Sequence, residues 1–376
     1  MTDDLHSLRA RLDDLDLKLL EIAAQRRDLI SRIIQAKSGE KHPLFDRTRE
    51  REVFEKAELR GRALGLPDHV SRGLMATLIE HSHRIQEREA ITADRSDPAH
   101  ARHFAIIGGA GQMGRLLAET FSARGHAVSV LDQDSDPSTD AAVVSADVVM
   151  IAVPMHLAVP IIHTVAPRLR PDALLCDINS LKVDVCAAMA KNGSCEALGL
   201  HPMFGPSVRS LRRQKVVSCP VRSGPLSEWL LSELGRMGLE VVDSDPDTHD
   251  RMMAVIQVLV HFSTIVMGEA LRRTGTSVSD SLKFTSPIYR LELAFVGRLF
   301  TQNPDLYAEI TMTNPHGAMV RKAFLDAAKA LNTSVGAGNR DVFRQQFSSV
   351  SEWFSAFGPE AMALSDFIIE SLVTQP

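Results

Sequence analysis

The first forty residues carry an apolar repeat that permits few folds. Its members recur at alternating spacings of three and four residues: Leu5, Leu8, Leu12, Leu15, Leu19, Ile22, Leu29 and Ile33. This spacing places them along one face of a helix. No Pro or Gly occurs from Leu5 to Ser38, so the helix would be roughly 50 Å long. That is long for a domain of about 90 residues, which favours a partner chain that covers the apolar face.

One position of this face breaks the apolar pattern. Arg26 stands between Ile22 and Leu29, and an unpaired buried charge costs on the order of several kcal/mol. Lys37 follows three turns later and only about 20° around the helix, so the two cations share one face. Arg9 lies about 100° from that face. The periodicity therefore shows that Arg26 is out of place in this apolar face.

Composition and length exclude several classes of protein. A chain of 376 residues predicts more than one domain, and its net charge of −5 argues against nucleic acid or an acidic membrane as main partner. The charged N-terminus shows no signal peptide, and apolar runs such as VVMIAVP (148–154) are shorter than a membrane span. Because Cys176, Cys186, Cys195 and Cys219 match neither a CxxC metal site nor a disulfide framework, we expect a cytoplasmic protein.

The N-terminal segment is predicted to be an all-helical domain that spans residues 1–92. Its helices are expected at about 5–38, 46–64 and 68–90. The polar, proline-containing stretch ADRSDPAHAR predicts a linker at 93–102.

Two further domains follow the linker. Residues 103–245 alternate short β-rich runs with helical segments, which predicts a parallel α/β sheet; the runs are HFAII, AVSVL, DVVMIAV, ALLCDI, KVVSC and LEVVD. Residues 246–376 are predicted to be helical, including 248–273, 287–302, 315–331 and 339–356. A helical domain behind a nucleotide fold often serves as substrate lid and dimer interface.

The first strand of the middle domain runs into a glycine-rich turn, GGAGQMG (108–114). The glycines permit a tight turn, a close approach of pyrophosphate and packing of the helix on the strand. The second strand ends at an acid where the ribose hydroxyls of NAD are usually bound. Since Gln133 and Asp134 follow it, rather than an arginine, we expect NAD rather than NADP; a generic loop acid is the alternative. The predicted cofactor-binding residues are Gly109, Gly111, Gln112, Met113, Gly114 and Asp132.

A candidate catalytic loop follows the fifth strand, with the sequence GLHPMFGP (199–206). A histidine at the strand ends of an open sheet, beside a nicotinamide, can accept a hydroxyl proton as hydride leaves. His201 is therefore a candidate base, with a structural loop histidine as the alternative. Lys182, after the fourth strand, is a weaker candidate for a substrate contact and equally well a surface lysine. The sequence shows no cluster with metal-ligand spacing, so no metal site is predicted.

GQMGR, GLHPMFGP and SPIYRLELAFVGRLF (286–300) together resemble prephenate dehydrogenase, and nearly the whole chain resembles the bifunctional chorismate mutase/prephenate dehydrogenases of tyrosine biosynthesis. The resemblance implies an all-α chorismate mutase domain, a Rossmann-type NAD domain and an all-α C-terminal domain that binds prephenate and dimerises. It implies that His201 is the base and that Arg298 binds a substrate carboxylate. Arg290 ranks lower because it can pair with Glu292. His261 lies in a region that resembles the ligand-facing part of the family, although a core histidine is the better interpretation.

The resemblance also implies the chemistry and the partners. Hydride leaves the carbinol carbon of prephenate for NAD, the hydroxyl becomes a carbonyl, and the ring carboxylate departs as CO2 while the ring aromatises. Chorismate and prephenate are the expected substrates, and a cytoplasmic homodimer is expected. Tyrosine feedback is expected from the family, yet no βαββαβ regulatory domain follows the helical region, so tyrosine would act at the prephenate site or at an interface.

For the N-terminal domain, the resemblance to the all-helical chorismate mutases assigns a role to each charged position. A pericyclic rearrangement needs no nucleophile, only groups that hold two carboxylates and an ether oxygen. The implied residues are Arg9 from the partner chain and Arg26 for the carboxylates, Lys37 and Gln86 for the ether oxygen, Glu50 for the hydroxyl, and Asp46, Arg49 and Ser82 in support.

Two other functions remain open at this point. In one, the first 90 residues or so form a non-catalytic dimerisation or regulatory module beside an active prephenate dehydrogenase. In the other, the chain acts on β-hydroxyacids, whose dehydrogenases also join a GxGxxG domain to a helical domain. The shared face of Arg26 and Lys37 argues against the first, and GLHPMFGP argues against the second.

Overall fold

The computed structural model describes residues 4–37, 47–94, 101–137, 140–208 and 210–373. The chain divides into two compact units: Met1–Arg102 with Glu119–Ala127, and His103–Ala118 with Val128–Pro376. The sheet and the C-terminal helices therefore belong to one unit, and the N-terminal helices to the other.

Three helices make up the described part of the N-terminal segment: α1 (Leu5–Lys37), α2 (Arg47–Ala63) and α3 (Asp68–Asp94). Their bounds confirm the three predicted helices, and α1 and α2 both pack on α3. The apolar face of α1 stays in water within one chain, since its leucines from Leu5 to Leu19 are 46–61% exposed. Because burying such a side chain is worth about 1.5–3 kcal/mol, this face of the single chain has a strong tendency to associate.

The second unit contains a seven-stranded sheet whose order is β2-β1-β3-β4-β5-β6-β7. The strands are β1 (His103–Ile107), β2 (Ala127–Leu131), β3 (Val148–Ile151), β4 (Leu174–Asp177), β5 (Glu196–Pro202), β6 (Lys215–Arg222) and β7 (Glu240–Asp243). The runs predicted as strands are confirmed. Strands β1, β3, β4 and β5 pair in parallel, but β6 runs antiparallel to β5. The predicted parallel α/β sheet is therefore confirmed for these four strands, and the antiparallel pairing of β6 with β5 is an exception within it.

Helices lie between the strands along the chain: α4 (Gln112–Ala123), α5 (Ala141–Ser145), α6 (Met155–Val165), α7 (Val183–Lys191) and α8 (Pro225–Arg236). All residues of β3 and β4 are buried, which explains why they are apolar apart from Asp177 at the end of β4. The main core joins strand residues such as Val149 and Leu175 to helix residues such as Ile162 and Met189. The carboxyl ends of β1, β4 and β5 consequently meet at one edge, where ligands of open α/β sheets bind.

The C-terminal segment is helical, as predicted. It contains α9 (Pro246–Met253), α10 (Val260–Arg273), α11 (Val278–Leu282), α12 (Pro287–Phe300), α13 (Pro304–Thr313), α14 (Gly317–Gly336), α15 (Arg340–Trp353) and α16 (Gly358–Val373). A π-helical segment, Ala254–Leu259, interrupts the predicted helix 248–273. Its buried residues Ala254 and Val258 pack with Ile310 and Val320 in a small second core.

The stretch Pro246–Arg273 is long and apolar enough to cross a membrane, judged by length and composition alone. An 18-residue window of it has a mean hydropathy of 1.6, and 11% of that window is buried. The stretch contains no long unbroken apolar run, because polar residues such as Gln257 and His261 interrupt its apolar residues. Asp250 in its second turn is 1% exposed and lies within the folded unit.

Arg222 on β6 closes the C-terminal end of α7, and this contact generates a stability prediction. Its guanidinium donates to the carbonyls of Cys195 (2.7 Å), Met189 (2.8 Å), Ala190 (3.2 Å) and Asn192 (3.3 Å). Because bonds from a charged donor are worth about 1.5–3 kcal/mol, we expect Arg222→Met to lower the free energy of unfolding of this unit by about 2 kcal/mol. Urea unfolding measures the change.

Arg344→Met is the matched control. Arg344 is 72% exposed and pairs with Asp341 in the same helix, and such pairs contribute about 0.3–0.5 kcal/mol. Equal destabilisation by the two substitutions would contradict the role given to Arg222.

Candidate functional site

The glycine-rich turn after β1 has the geometry of a dinucleotide-binding loop. Gly108 adopts φ +82°, a conformation that side chains disfavour. At Gly114 an added Cβ would lie 2.5 Å from the carbonyl oxygen of Gly108, so only glycine lets α4 approach the loop. Gln112 and Met113 open α4, where the helix N-terminus favours phosphate. Gly109 and Gly111 lie within the same turn.

Asp132 lies beside this loop at the end of β2. Its Oδ2 accepts from the backbone N–H of Ala110 at 3.2 Å, and its Oδ1 accepts from that of Gln133 at 2.8 Å. The carboxylate is exposed and keeps lone pairs for further donors. The loop and the acid thus form one surface that fits the pyrophosphate and ribose hydroxyls of a dinucleotide.

His201 lies within β5, and the expectation that it follows the strand in a loop was wrong. The strand continues to Pro202 because it pairs with β6 on one side, with His201 opposite Val217. The imidazole is 3% exposed. Its Nδ1 lies 2.9 Å from Nε2 of His249, and its Nε2 lies 3.3 Å from Nε2 of Gln257. Burial, with Lys182 and His249 adding to it, holds the pKa of His201 well below its usual value.

His249 and Asp250, at the start of the C-terminal segment, are site residues that the sequence analysis did not find. Nδ1 of His249 lies 2.7 Å from Oδ1 of Asp250. The Asp250 carboxylate accepts from the backbone N–H groups of Lys182 (2.8 Å) and Val183 (3.0 Å), at the N-terminus of α7. Asn314 donates to the carbonyl of Asp250 at 2.8 Å. The only sequence pattern that points to them is the pair His249–Asp250 near a helix start, and such a pair is also common in the first turn of helices without a site.

Lys182 is fully buried rather than on the surface. Its ammonium forms an ion pair with Asp177, at the end of β4, and donates to the carbonyl of Leu200 at 2.7 Å. Burial raises the pKa of Asp177, while Lys182 and the N–H of Asn179 oppose that shift. This geometry favours a role in holding β4 and β5 together beside His201 over a direct contact with substrate.

Arg298 on α12 is the residue predicted to bind a substrate carboxylate. Its charge influences Tyr307, which packs against His261. The ring of Tyr307 on α13 packs edge-on against His261 on α10, with centroids 4.8 Å apart. Burial raises the pKa of Tyr307, and the charge of Arg298 opposes this. Burial also lowers the pKa of His261. Arg298 and Arg290 are both exposed.

Several buried polar atoms of the second unit have no hydrogen-bond partner among the described residues. They include Oδ1 of Asp177, Oδ1 of Asn179, Oγ of Ser218, Oε1 of Gln257, Nδ1 of His261, Nε of Arg170 and Oγ1 of Thr311. Buried polar atoms are normally paired, so the open oxygen of Gln257, whose amide nitrogen faces His201, is suited to a polar ligand. In the same described part of the chain, His, Cys, Asp and Glu side chains form no group of three or more that could hold a metal ion.

The N-terminal unit places Arg26 against α3. Its guanidinium donates to the carbonyl of Leu78 (2.8 Å) and to Oγ of Ser82, so among the described residues its partners are neutral oxygens. Burial lowers the pKa of Arg26, although guanidinium remains charged. One turn further along α3, Oε1 of Gln86 is buried without a partner among the described side chains. An undercompensated cation is suited to an anionic ligand, whereas the open oxygen of Gln86 can only accept a hydrogen bond.

Glu50 on α2 lies 2.9 Å from Nε2 of His83 on α3, and both side chains are at most 15% exposed. Arg49 pairs with Glu52 at 2.8 Å along the surface of α2. Arg9 is exposed on α1. Lys37 is the last residue of α1, but its side chain, like Asp46 as a whole, lies outside the described residues.

Three family models match the chain in succession. "Chorismate mutase type II" matches residues 8–87, "Prephenate dehydrogenase, nucleotide-binding domain" matches 117–230, and "Prephenate dehydrogenase, dimerization domain" matches 245–349. The second match begins after the glycine-rich turn, so the assignment of that turn rests on its sequence and geometry.

Relatives extend the likeness to the whole chain. The T-protein of Haemophilus influenzae is 30% identical over 366 residues, which cover 97% of this chain and 96% of the relative. The T-protein of Enterobacter agglomerans is 31% identical over 371 residues, covering 99% and 98%. The structure of prephenate dehydrogenase from Aquifex aeolicus with hydroxyphenyl propionate and NAD+ is 19% identical, with a TM-score of 0.52 over 70% of this chain and 98% of that one; it shares the fold. The chain therefore belongs to the T-protein family, in which a type II chorismate mutase domain precedes the two domains of prephenate dehydrogenase.

Proposed function

We propose that the N-terminal unit rearranges chorismate to prephenate and that the second unit oxidises prephenate, with NAD, to 4-hydroxyphenylpyruvate and CO2. The observation that carries the proposal is one functional group in each unit whose surroundings suit the chemistry. Arg26 is a partly buried cation with neutral partners, and His201 is a buried imidazole at the ligand-binding edge of the sheet. The first suits a dianion, and the second suits a hydroxyl that must lose its proton.

In the mutase site, the residues act by position and charge. Arg26 binds a substrate carboxylate, for which its planar fork of donors is suited. The amide of Gln86 and the ammonium of Lys37 donate to the ether oxygen as the C–O bond breaks. Glu50, held by His83 at 2.9 Å, accepts a hydrogen bond from the substrate hydroxyl. Ser82 orients Arg26, and Arg9 of the partner subunit binds the other carboxylate. Asp46 and Arg49 support these contacts.

In the dehydrogenase site, the turn at Gly108–Gly114 and Asp132 would hold NAD, which would supply the hydride acceptor. His201 takes the hydroxyl proton on Nε2, and its lowered pKa keeps it neutral and ready to do so. Arg298 holds a carboxylate of prephenate, with Arg290 as the lesser candidate. Lys182 positions β5 through Leu200. The ring carboxylate leaves as CO2 because aromatisation of the ring drives the step. Asp132 binds the ribose hydroxyls and disfavours the 2′-phosphate of NADP.

The exposed apolar surfaces support a homodimer. The α1 face and the stretch Pro246–Arg273 are both largely uncovered in one chain, and a residue range that includes the latter matches a family model named for dimerization. A second copy would cover both surfaces, which also suits a cytoplasmic protein with neither membrane nor nucleic acid as partner. We further propose that tyrosine, the end product of the route, inhibits at the prephenate site, because its phenol and carboxylate resemble those of the product.

The function is tested by offering chorismate without NAD. We expect prephenate to form well above the uncatalysed rate, and NADH to form from prephenate but not from 3-hydroxy acids. No prephenate above background would leave the N-terminal unit as a non-catalytic module. NADH from 3-hydroxy acids would instead favour a β-hydroxyacid dehydrogenase.

Arg26→Ala should lower mutase kcat/KM by about a hundredfold or more, since it removes a charge-assisted substrate contact worth roughly 3 kcal/mol. Dehydrogenase activity should stay within about twofold. Arg27→Ala is the matched control, because Arg27 is exposed and pairs with Asp28. Comparable mutase loss in both variants would show that general charge, and not the position of Arg26, matters.

His201→Asn should lower dehydrogenase kcat by about 10²–10⁴-fold, the range that base catalysis contributes, and leave mutase activity unchanged. In the wild type, kcat/KM for prephenate should be flat from pH 8 down through pH 6.5 and fall only at lower pH. The sign follows from burial: it favours the neutral base, so protonation begins below the usual value of the pKa. A midpoint at or above pH 6.5 that vanishes in His201→Asn would contradict this environment.

A further inference from the structure

Hydrogen bonds lead from Asp250 through His249 to His201. The carboxylate of Asp250 determines which atom donates in each of them. The carboxylate of Asp250 accepts from the N–H groups of Lys182 at 2.8 Å and Val183 at 3.0 Å, and it is 1% exposed. A carboxylate that accepts both of these backbone N–H bonds has only acceptors to offer a third partner. Nδ1 of His249, 2.7 Å from the same carboxylate, must therefore carry a proton and donate it.

The same reasoning identifies the donor in the next bond, between His249 and His201. A neutral His249 that carries its proton on Nδ1 presents a lone pair on Nε2. That atom lies 2.9 Å from Nδ1 of His201, so His201 donates from Nδ1 and has its own lone pair on Nε2. The two rings meet edge-on, with centroids 5.1 Å apart and planes at 70°. Both are at most 3% exposed, so water cannot readily replace either bond.

We propose that His249, anchored by Asp250, is a positioning residue that keeps the proton of His201 on Nδ1 and so presents Nε2 to the substrate hydroxyl. This inference deepens the proposed dehydrogenase function and rests on it. The opposite tautomer would place a hydrogen on Nε2 and block proton transfer at that atom. Orientation of a catalytic imidazole through a second group is the logic that the Ser-His-Asp triad illustrates.

The proton balance of the step agrees with this arrangement. As the C–H bond breaks and hydride leaves for NAD, the O–H bond breaks too, and its proton moves to Nε2 of His201. The resulting imidazolium donates from both nitrogens, and its Nδ1–H bond to His249 is strengthened by the negative charge of Asp250 behind it. Of the other charged groups that face His201, the Lys182 ammonium is already paired with Asp177. Asp250 is therefore the charge left to compensate the new cation.

Two substitutions separate this role from simple packing. His249→Phe keeps an aromatic ring of similar size but removes the acceptor. His249→Gln replaces the ring by a flexible side chain whose Oε1 can accept from Nδ1 of His201 near the former Nε2 position. A packing role predicts that Phe is the better substitute, and the positioning role predicts that Gln is.

The test measures kcat and KM for prephenate in the full-length wild type and both variants, with NAD affinity and mutase activity as controls for the two units. We expect His249→Phe to lower kcat by about 10–100-fold, part of the range that base catalysis contributes, with KM and NAD affinity within about threefold. His249→Gln should recover most of the lost kcat. Two-bond 1H–15N correlation spectra of histidine-labelled wild type should show His201 protonated on Nδ1.

Three results would overturn the inference. They are an unchanged kcat in His249→Phe, a Gln variant no better than the Phe variant, and a wild-type His201 protonated on Nε2. Should either variant lose NAD binding through misfolding, the tautomer in the wild-type spectrum decides alone. A wild type that forms no NADH from prephenate would instead refute the proposed function, so the two failures are distinguishable.

Discussion

The bond between the Asp250 carboxylate and the N-terminus of α7 is the contact on which the dehydrogenase site depends. It joins the first helix of the C-terminal segment to the helix that follows β4. Bonds of this kind to a charged group are worth about 1.5–3 kcal/mol each. Because His249 precedes Asp250 and His201 faces His249, one carboxylate both fastens α9 and orders the imidazoles. The buried ion pair between Lys182 and Asp177 is a second fixed pair of charges, and Lys182 also bonds to Leu200 on β5.

The mutase site follows a different physical logic. Its chemistry needs no proton transfer, so the chain supplies donors and one acid instead of an ordered base. Arg26 contacts neutral oxygens of α3, which orient the guanidinium without cancelling its charge. A substrate carboxylate would supply the missing negative charge. In the proposed function this contact would recover the cost of partly burying an arginine in an otherwise apolar helix face.

The sequence predicts those structural features that depend on residues within one short segment. Helix α1 follows from its 3-4 apolar spacing, and the turn at Gly108–Gly114 follows from residues within one short segment. Features set by distant contacts were missed. The antiparallel direction of β6 is set by its pairing with β5, and the burial of Lys182 involves Asp177 and Leu200. The position of His249 involves His201, 48 residues earlier. A π-helical segment inside an apolar stretch leaves no periodic signal that separates it from an α-helix.

The central claim is that one chain carries both activities, and a coupled assay tests it most directly. Wild-type protein is given chorismate and NAD, no prephenate is added, and NADH and released CO2 are measured together. The account predicts a short lag while prephenate accumulates, followed by one NADH and one CO2 for each chorismate consumed. NADH formation only after prephenate is supplied, with chorismate left unchanged, would contradict it.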